Sequence, residues 1–155
     1  MANVYFADTS ALCKRYVIEP GTTWLSSVLD ASHGNSVYIA RVTAAELIAA
    51  ITRRERSGTL AASDAGTARA EFRADFCSEF NVIEVTEAVV DLAMELAEKH
   101  GLRGYDAVQL AAALQVSTSY VQAGRPPIIL LSSDSELNAA ASVEALALED
   151  PNTHP

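Results

Sequence analysis

Four acidic side chains occupy corresponding places along the chain, each where a predicted strand passes into a helix or within that helix's first turn. They are Asp8, Glu46, Asp106 and Asp134. In a parallel α/β sheet the carboxyl ends of the strands share one edge, so carboxylates far apart in sequence can meet in one crevice. Oxygen-rich pockets of this kind bind magnesium or manganese. The spacing therefore predicts a divalent-metal site.

Each of these acids also has a purely structural explanation. Asp8 can cap the helix that follows it, and Asp106 lies in a first helical turn, where the helix dipole favours any carboxylate. Residues 43–46 and 133–136 are spaced as capping boxes, in which an acid reaches back to a backbone N–H. None of these explanations accounts for acids at the ends of three or four different strand–helix units. That conjunction indicates a functional site.

The surroundings of two acids strengthen the functional interpretation. Asp106 opens an apolar, alanine-rich helix that should be buried, and a buried carboxylate is costly unless a cation compensates it. Glu46 is followed along its helix face by the small residues Ala49 and Ala50, which leave room above it. Arg53 lies two turns further on, where it can reach an anion held at the Glu46 carboxylate.

Alternating apolar strands and helices must position these acids. Strands are predicted at residues 4–7, 37–40, 82–85 and 128–131, with a short one near 146–148. Helices are predicted over residues 9–17, 22–32, 43–58, 63–80, 89–100 and 105–121, with a last one after Asp134. Nearly continuous apolar strands separated by helices predict an α/β fold, a mostly parallel sheet of four to five strands with helices on both faces. We expect a single domain over residues 1–149 and a loose tail over 150–155.

Composition limits the classes of function. The chain has 155 residues, of which 50% are hydrophobic, which suits one sizeable core. Its formal net charge is -9, and an acidic surface repels bulk nucleic acid. A nucleic-acid substrate would therefore require basic residues near the site, or divalent cations in the pocket. The charge excludes a DNA-coating protein but not a metal-dependent nuclease.

The cysteines and the N-terminus indicate the compartment. Cys13 and Cys77 lack the spacing of a zinc site or a disulfide framework, which favours reduced thiols. The first residues lack a basic segment followed by a long apolar one, and no later apolar run approaches membrane-spanning length. We expect a soluble cytoplasmic protein with no membrane partner.

Four segments of the chain resemble the motifs of PIN-domain ribonucleases. They are residues 8–12, 42–47, 105–107 with the alanine-rich stretch beyond, and 132–134. The likeness runs from Val4 to about Leu148, and within the family the size and order are similar to the VapC toxins of bacterial toxin–antitoxin pairs. The resemblance implies a PIN-like α/β/α sandwich.

The resemblance also implies an activity and its partners. The reaction would be metal-dependent endonucleolytic cleavage of RNA, leaving a 5′-phosphate and a 3′-hydroxyl, with Mg²⁺ as cofactor and Mn²⁺ as an alternative. Asp8, Glu46 and Asp106 would coordinate the metal directly or through water, and Asp134 would complete a second site or orient the nucleophile. A cognate antitoxin would bind and silence the protein, and a homodimer is expected.

Basic and hydroxyl side chains near the acids are candidates for substrate binding. Residues 53–56 hold the only dense basic run, and Lys14, Arg15 and Arg103 lie close in sequence to site acids. Phosphate contacts from such residues would position RNA without reading its sequence. For about half of them, pairing with nearby acids on solvated helix faces is the simpler explanation. The substrate-binding candidates are Ser10, Arg53, Arg103 and Ser132.

Three other functions fit parts of the pattern. Asp8 after the first strand could be the nucleophile of a haloacid-dehalogenase-like phosphatase, although Ser10 stands where that chemistry usually has a second acid. A receiver domain needs a phosphoacceptor aspartate after a central strand, whereas Asp106 lies inside a helix opening. The non-enzymatic alternative is a catalytically inactive PIN-like module that acts only through a protein partner.

Overall fold

One sheet of five strands runs through the residues that the computed structural model describes, 2–154. The strands are β1 Val4–Ala7, β2 Ser36–Ala40, β3 Asn81–Ile83, β4 Ile129–Leu131 and β5 Ala147–Glu149. All neighbours pair in parallel, in the order β3-β2-β1-β4-β5. The predicted parallel α/β sheet is therefore confirmed.

Seven α-helices connect these strands within the described part of the chain. They are α1 Thr9–Tyr16, α2 Thr22–Val28, α3 Val42–Arg56, α4 Ala62–Ser78, α5 Glu87–His100, α6 Gly104–Gln122 and α7 Ser135–Val143. The helix predicted to continue to residue 32 ends earlier, and a separate 3-10 turn, Ala31–His33, follows it. Its start is fixed by Asp30, which accepts a hydrogen bond from the Ser32 backbone N–H. Over residues 2–154, no helix combines the length and the apolar character that crossing a membrane requires.

The strand β1 shows how the sheet separates two cores. Phe6 packs on one face with buried residues of α5, α6 and α7, whereas Tyr5 and Ala7 pack on the other with α1, α3 and α4. This alternation follows from the two-residue period of a strand. The three alanines at 111–113 are fully buried, which allows α6 to lie close to its neighbours. Helices thus cover both faces, as predicted.

The strand order creates a crevice at the carboxyl end of β1. From β1 the chain proceeds to β2 and β3 on one side of the sheet, while β4 and β5 lie on the other side. Such a reversal is where parallel α/β sheets bind ligands. The Asp8 backbone N–H donates to the Leu131 carbonyl at 3.0 Å, which ties the start of α1 to the end of β4. The segments carrying Asp8 and Asp134 are therefore neighbours.

The last described residues are packed rather than loose. Pro151–Thr153 form a 3-10 turn with Pro151 buried, and the Asp150 side chain accepts from the Asn152 backbone N–H at its start. The His154 ring stacks on Trp24, with ring centroids 4.1 Å apart and planes 6° apart. The expectation of a loose tail is thus corrected for residues 150–154, because a buried proline and an aromatic pair anchor them; Pro155 lies outside the described residues.

Candidate active site

Asp8 is a buried carboxylate without a basic partner among the described residues. It caps α1: its Oδ1 accepts from the Ala11 backbone N–H at 3.0 Å and from Ser10 Oγ at 2.8 Å. The residue is only 3% exposed. The pKa of Asp8 is raised from 3.8 to about 7: burial raises it, the hydrogen bonds from Ala11 and Ser10 partly oppose the rise, and the nearby charge of Asp134 adds to it. Capping is therefore real but does not offset the cost of burying this charge.

Asp134 follows β4 and is itself the cap of α7. Its Oδ1 accepts from the Leu137 backbone N–H at 2.9 Å, so the predicted capping box at residues 133–136 does not form. The Ser133 backbone N–H donates to Ser10 Oγ at 2.9 Å, which joins this loop to the Asp8 loop. Ser132 is fully buried and its Oγ accepts from the Asp134 backbone N–H at 3.2 Å. Its hydroxyl supports the loop and is not accessible to a substrate.

The Glu46 carboxylate faces the sheet edge rather than its own helix start. The helix α3 begins at Val42, with Arg41 as its cap residue and no side-chain capping bond, so the predicted capping box at 43–46 is also wrong. Glu46 Oε1 instead accepts from Thr9 Oγ1 at 3.0 Å and from Gln109 Nε2 at 2.8 Å. These bonds connect α3 with α1 and α6.

Asp106 lies half-buried in the first turn of α6, among other acids. Burial is the main cause that raises its pKa, followed by the charge of Asp134, with smaller contributions from Glu46 and Glu136. Arg103 opposes them. Electrostatic coupling of this kind requires the carboxylates to lie near one another. Glu136, in the first turn of α7, was not among the predicted site residues.

The acids share one sheet edge without forming a ready-made coordination site. Over residues 2–154, no three carboxylate, imidazole or thiol side chains are arranged to hold a metal ion as they stand. Asp8, Asp134 and Glu46 each accept hydrogen bonds from protein donors. The donor chemistry nevertheless fits a hard divalent cation, because carboxylate oxygens predominate and the buried Asp8 charge lacks a counter-ion.

Sequence reasoning missed Gln109, which lies one turn beyond Asp106. Gln109 is only 1% exposed, and its Nε2 also donates to Thr43 Oγ1 at 2.8 Å and to Thr9 Oγ1 at 3.3 Å. The available signal was a single amide in an apolar, alanine-rich helix, three residues after a site acid. The sequence does not show which side chain that amide contacts.

Half of the basic candidates are engaged in ion pairs. Lys14 and Arg54 both pair with Glu19, and Arg15 pairs with Glu79 at 2.7 Å. Within the described residues, no ion pair forms at the other three, Arg53, Arg56 and Arg103. Unpaired guanidinium groups are available for phosphate contacts. Of the predicted substrate-binding candidates, Arg53 and Arg103 therefore remain available.

Two concave surfaces lie beside α3 and share Arg53. A cavity of about 330 Å³ is lined by Glu46 and Arg53 together with Thr9 and Tyr105, so a carboxylate and an unpaired guanidinium face the same space. A larger groove of about 800 Å³ lies between α3 and α4. Its lining is mostly apolar and carries three arginines, and it includes Ile48, Phe72, Phe76, Arg53, Arg56 and Arg73.

Comparison with known proteins gives consistent results. The PIN domain family model matches residues 5–143. Ribonuclease VapC45 of Mycobacterium tuberculosis (strain CDC 1551 / Oshkosh) is 32% identical over 141 residues, 91% of this chain and 90% of the relative. The fold is similar to that of PAE2754 from Pyrobaculum aerophilum (TM-score 0.65, 23% identity, 99% of this chain and 88% of that one). It is also similar to a toxin-antitoxin complex from Klebsiella pneumoniae (TM-score 0.64, 14% identity, 95% and 97% coverage).

Proposed function

The chain belongs to the PIN domain family, and we propose that it is a divalent-metal-dependent endoribonuclease, the toxin of a toxin–antitoxin pair. One observation carries the proposal: carboxylates from four separate segments are electrostatically coupled at the crevice where the sheet order reverses. The ribonuclease relative covers nearly the whole chain, which supports RNA as the substrate. We place the activity in one PIN-like domain, residues 1–149, acting in the cytoplasm.

The acids at this edge are proposed to hold the metal. Asp8, Glu46 and Asp106 would coordinate it directly or through water, and Asp134 would complete a second site or orient the nucleophile. Mg²⁺ is the proposed ion and Mn²⁺ an alternative. When bound, such an ion lowers the pKa of a water molecule and offsets the negative charge on the departing oxygen.

Other side chains prepare this site and bind the substrate. The Ser10 hydroxyl donates to Asp8 and accepts from the Ser133 backbone N–H, so it holds a carboxylate and a loop rather than RNA. Arg53 is placed to contact a phosphate in the cavity beside Glu46, and Arg103 lies near Asp106. Because the protein carries a net charge of -9, these few guanidinium groups must provide the local attraction for RNA.

Two earlier alternatives receive less support. A phosphatase of this kind usually has a second acid two residues after its nucleophile, whereas Ser10 occupies that position and donates a hydrogen bond to Asp8. An inactive interaction module has no need of coupled carboxylates that lack basic partners. Both observations favour a hydrolytic metal site.

The direct test is an RNA cleavage assay with purified protein. Single-stranded and structured RNAs are incubated with Mg²⁺ or Mn²⁺, and the product ends are analysed for a 5′-phosphate and a 3′-hydroxyl. We expect internal cleavage by the native protein and none by Glu46→Gln. If the native protein leaves both kinds of RNA intact with either metal, the proposed activity is wrong.

Arg53→Gln should weaken RNA binding without slowing the chemical step. Removing one phosphate contact is expected to raise KM by about 3–10-fold and to reduce the slope of log affinity against log salt by about 0.7. Steady-state kinetics at several salt concentrations measure both. Arg125→Gln is the matched control. Arg125 lies before the amino end of β4, whereas the proposed site lies at the carboxyl ends of the strands, and its guanidinium group packs over the Tyr120 ring. Equal effects of the two substitutions would argue against a local role for Arg53.

We also propose a cognate antitoxin and a homodimer as the partners of this chain. The groove between α3 and α4 combines an apolar lining with three arginines, so it suits an apolar segment that carries acidic residues. Binding there would place the antitoxin beside Arg53, which lines both the groove and the Glu46 cavity. Light scattering of the purified protein alone measures the homodimer, and light scattering after co-expression with a candidate antitoxin measures the complex.

A further inference from the structure

We propose that Gln109 is a positioning residue that orients the Glu46 carboxylate for binding a divalent ion. The inference rests on the proposed metal site and concerns a residue that lies outside the four acids. Gln109 reaches Glu46 from α6, the helix that also carries Asp106. It therefore connects two of the acids through one side chain.

Two hydrogen-bond donors, from Gln109 and Thr9, contact the same oxygen of Glu46. Gln109 Nε2 donates to Glu46 Oε1 at 2.8 Å, and Thr9 Oγ1 donates to the same oxygen at 3.0 Å. Oε2 forms no hydrogen bond with the described residues. Two donors on a single oxygen fix the carboxylate plane and leave the second oxygen free to face a ligand.

The neighbouring threonine fixes the amide itself. Gln109 Nε2 also donates to Thr43 Oγ1 at 2.8 Å, on the same helix as Glu46. Turning the amide over would set its oxygen against the Glu46 carboxylate, so only the observed orientation is favourable. Gln109 therefore holds Glu46 from a fixed position.

The other end of the amide shows that packing does not explain this residue. Gln109 Oε1 is buried and has no hydrogen-bond partner in the described chain. A buried, unpaired carbonyl is unfavourable, and a leucine would fill a similar volume without that cost. The neighbouring Leu110 and Ala111 to Ala113 are fully buried and apolar. The role of the glutamine therefore lies in its two N–H donors, which face Glu46 and the two threonines.

Gln109→Leu should weaken metal binding while leaving the fold intact. We expect the Kd for Mn²⁺ alone, measured by calorimetry, to rise about 10–100-fold, as for other partners that orient metal ligands. The metal-free variant should keep a single cooperative melting transition, because the loss of the donors to Glu46 and Thr43 is partly offset by removal of the unpaired Oε1. In RNA cleavage, kcat should fall and KM should stay unchanged. Gln115→Leu, at an exposed position of the same helix, should change none of these quantities.

A double-mutant cycle with Glu46→Gln separates positioning from general structural support. If Gln109 acts through Glu46, adding Gln109→Leu to Glu46→Gln should weaken Mn²⁺ binding by less than about 2-fold further. Fully additive losses, or native-like Mn²⁺ binding by Gln109→Leu, would overturn the inference. Coupled Mn²⁺ binding without RNA cleavage would overturn the proposed activity alone. If the native protein binds no Mn²⁺, both proposals fail.

Discussion

Asp8→Asn should reduce RNA cleavage by on the order of 10³-fold and, at the same time, make the metal-free protein more stable. The loss is expected because the substitution removes one negative charge from the proposed metal site while keeping the shape of the side chain. The asparagine oxygen can still accept from the Ala11 backbone N–H, so α1 keeps its cap. Single-turnover cleavage with excess enzyme measures the chemical step directly.

The gain in stability follows from the buried charge. Burial raises the Asp8 pKa to about 7, so at pH 8 the folded protein must hold an ionised carboxylate that burial disfavours. The difference from the ordinary value corresponds to a few kcal/mol, of which we expect asparagine to recover about 2 kcal/mol. Urea unfolding at pH 8 in the presence of EDTA measures the free energy of unfolding. A protein stabilised but inactive in this way has lost function without losing its fold.

Asp30→Asn is the matched control for this experiment. Asp30 also caps a helical turn, by accepting from the Ser32 backbone N–H at 2.7 Å, but it is exposed, and hydrogen bonds from the Ser32 side chain and backbone lower its pKa. Its replacement should leave cleavage unchanged and should not stabilise the protein. Substantial cleavage by Asp8→Asn, or destabilisation by both substitutions alike, would show that Asp8 is only a cap.

The fold could be predicted because its signals are local. The apolar runs that became β1 and β4 are short, bounded and nearly continuous, as buried parallel strands require. The small residues of α6 indicated close packing, and they are buried. The end of the chain was misjudged because its packing depends on Trp24, which is distant in sequence from His154. Composition alone cannot report such a contact.

The sequence indicated that these acids lie near one another but not which hydrogen bonds they accept. The capping box at 43–46 does not form because α3 begins one residue earlier, at Val42, and the side chains of Thr43 and Glu46 instead contact Gln109 of α6. Spacing along one helix cannot reveal contacts with another helix. The same limit concealed the contribution of Glu136 to the charge around Asp106, which depends on how α6 and α7 meet. Local patterns identified the charged groups, whereas the folded chain decides their partners.

The metal-free native protein should lose stability as the pH rises from about 4 to 7, and Mg²⁺ should restore it. The pKa of Asp8 is about 7 in the folded state, against 3.8 ordinarily, so over this range the folded state keeps a proton that the unfolded chain has released. Its contribution is fully present below pH 3.8 and is lost as the pH passes through 7. The raised pKa of Asp106 acts in the same direction.

Glu144 affects stability over a lower pH range than Asp8, so the two contributions can be separated. Glu144 accepts hydrogen bonds from Lys99 and His100, which lower its pKa below 4.5. Its contribution to stability is therefore present above pH 4.5 and declines only at lower pH. Asp8, with its pKa raised to about 7, is expected to make stability fall between pH 5 and 7, and the raised pKa of Asp106 acts in the same direction.

Mg²⁺ should counteract this loss because it binds the deprotonated carboxylates of the folded state. At a concentration of 100 times Kd, the expected gain in the free energy of unfolding is about 2.7 kcal/mol, and the gain should increase with pH up to about 8. Urea unfolding from pH 4 to 8, with EDTA or with Mg²⁺, measures both curves. In Asp8→Asn the metal-free curve should be flatter and the response to Mg²⁺ smaller. A response to Mg²⁺ that is the same at all pH values, or unchanged in Asp8→Asn, would place the ion elsewhere on the protein and remove the electrostatic basis of the proposed site.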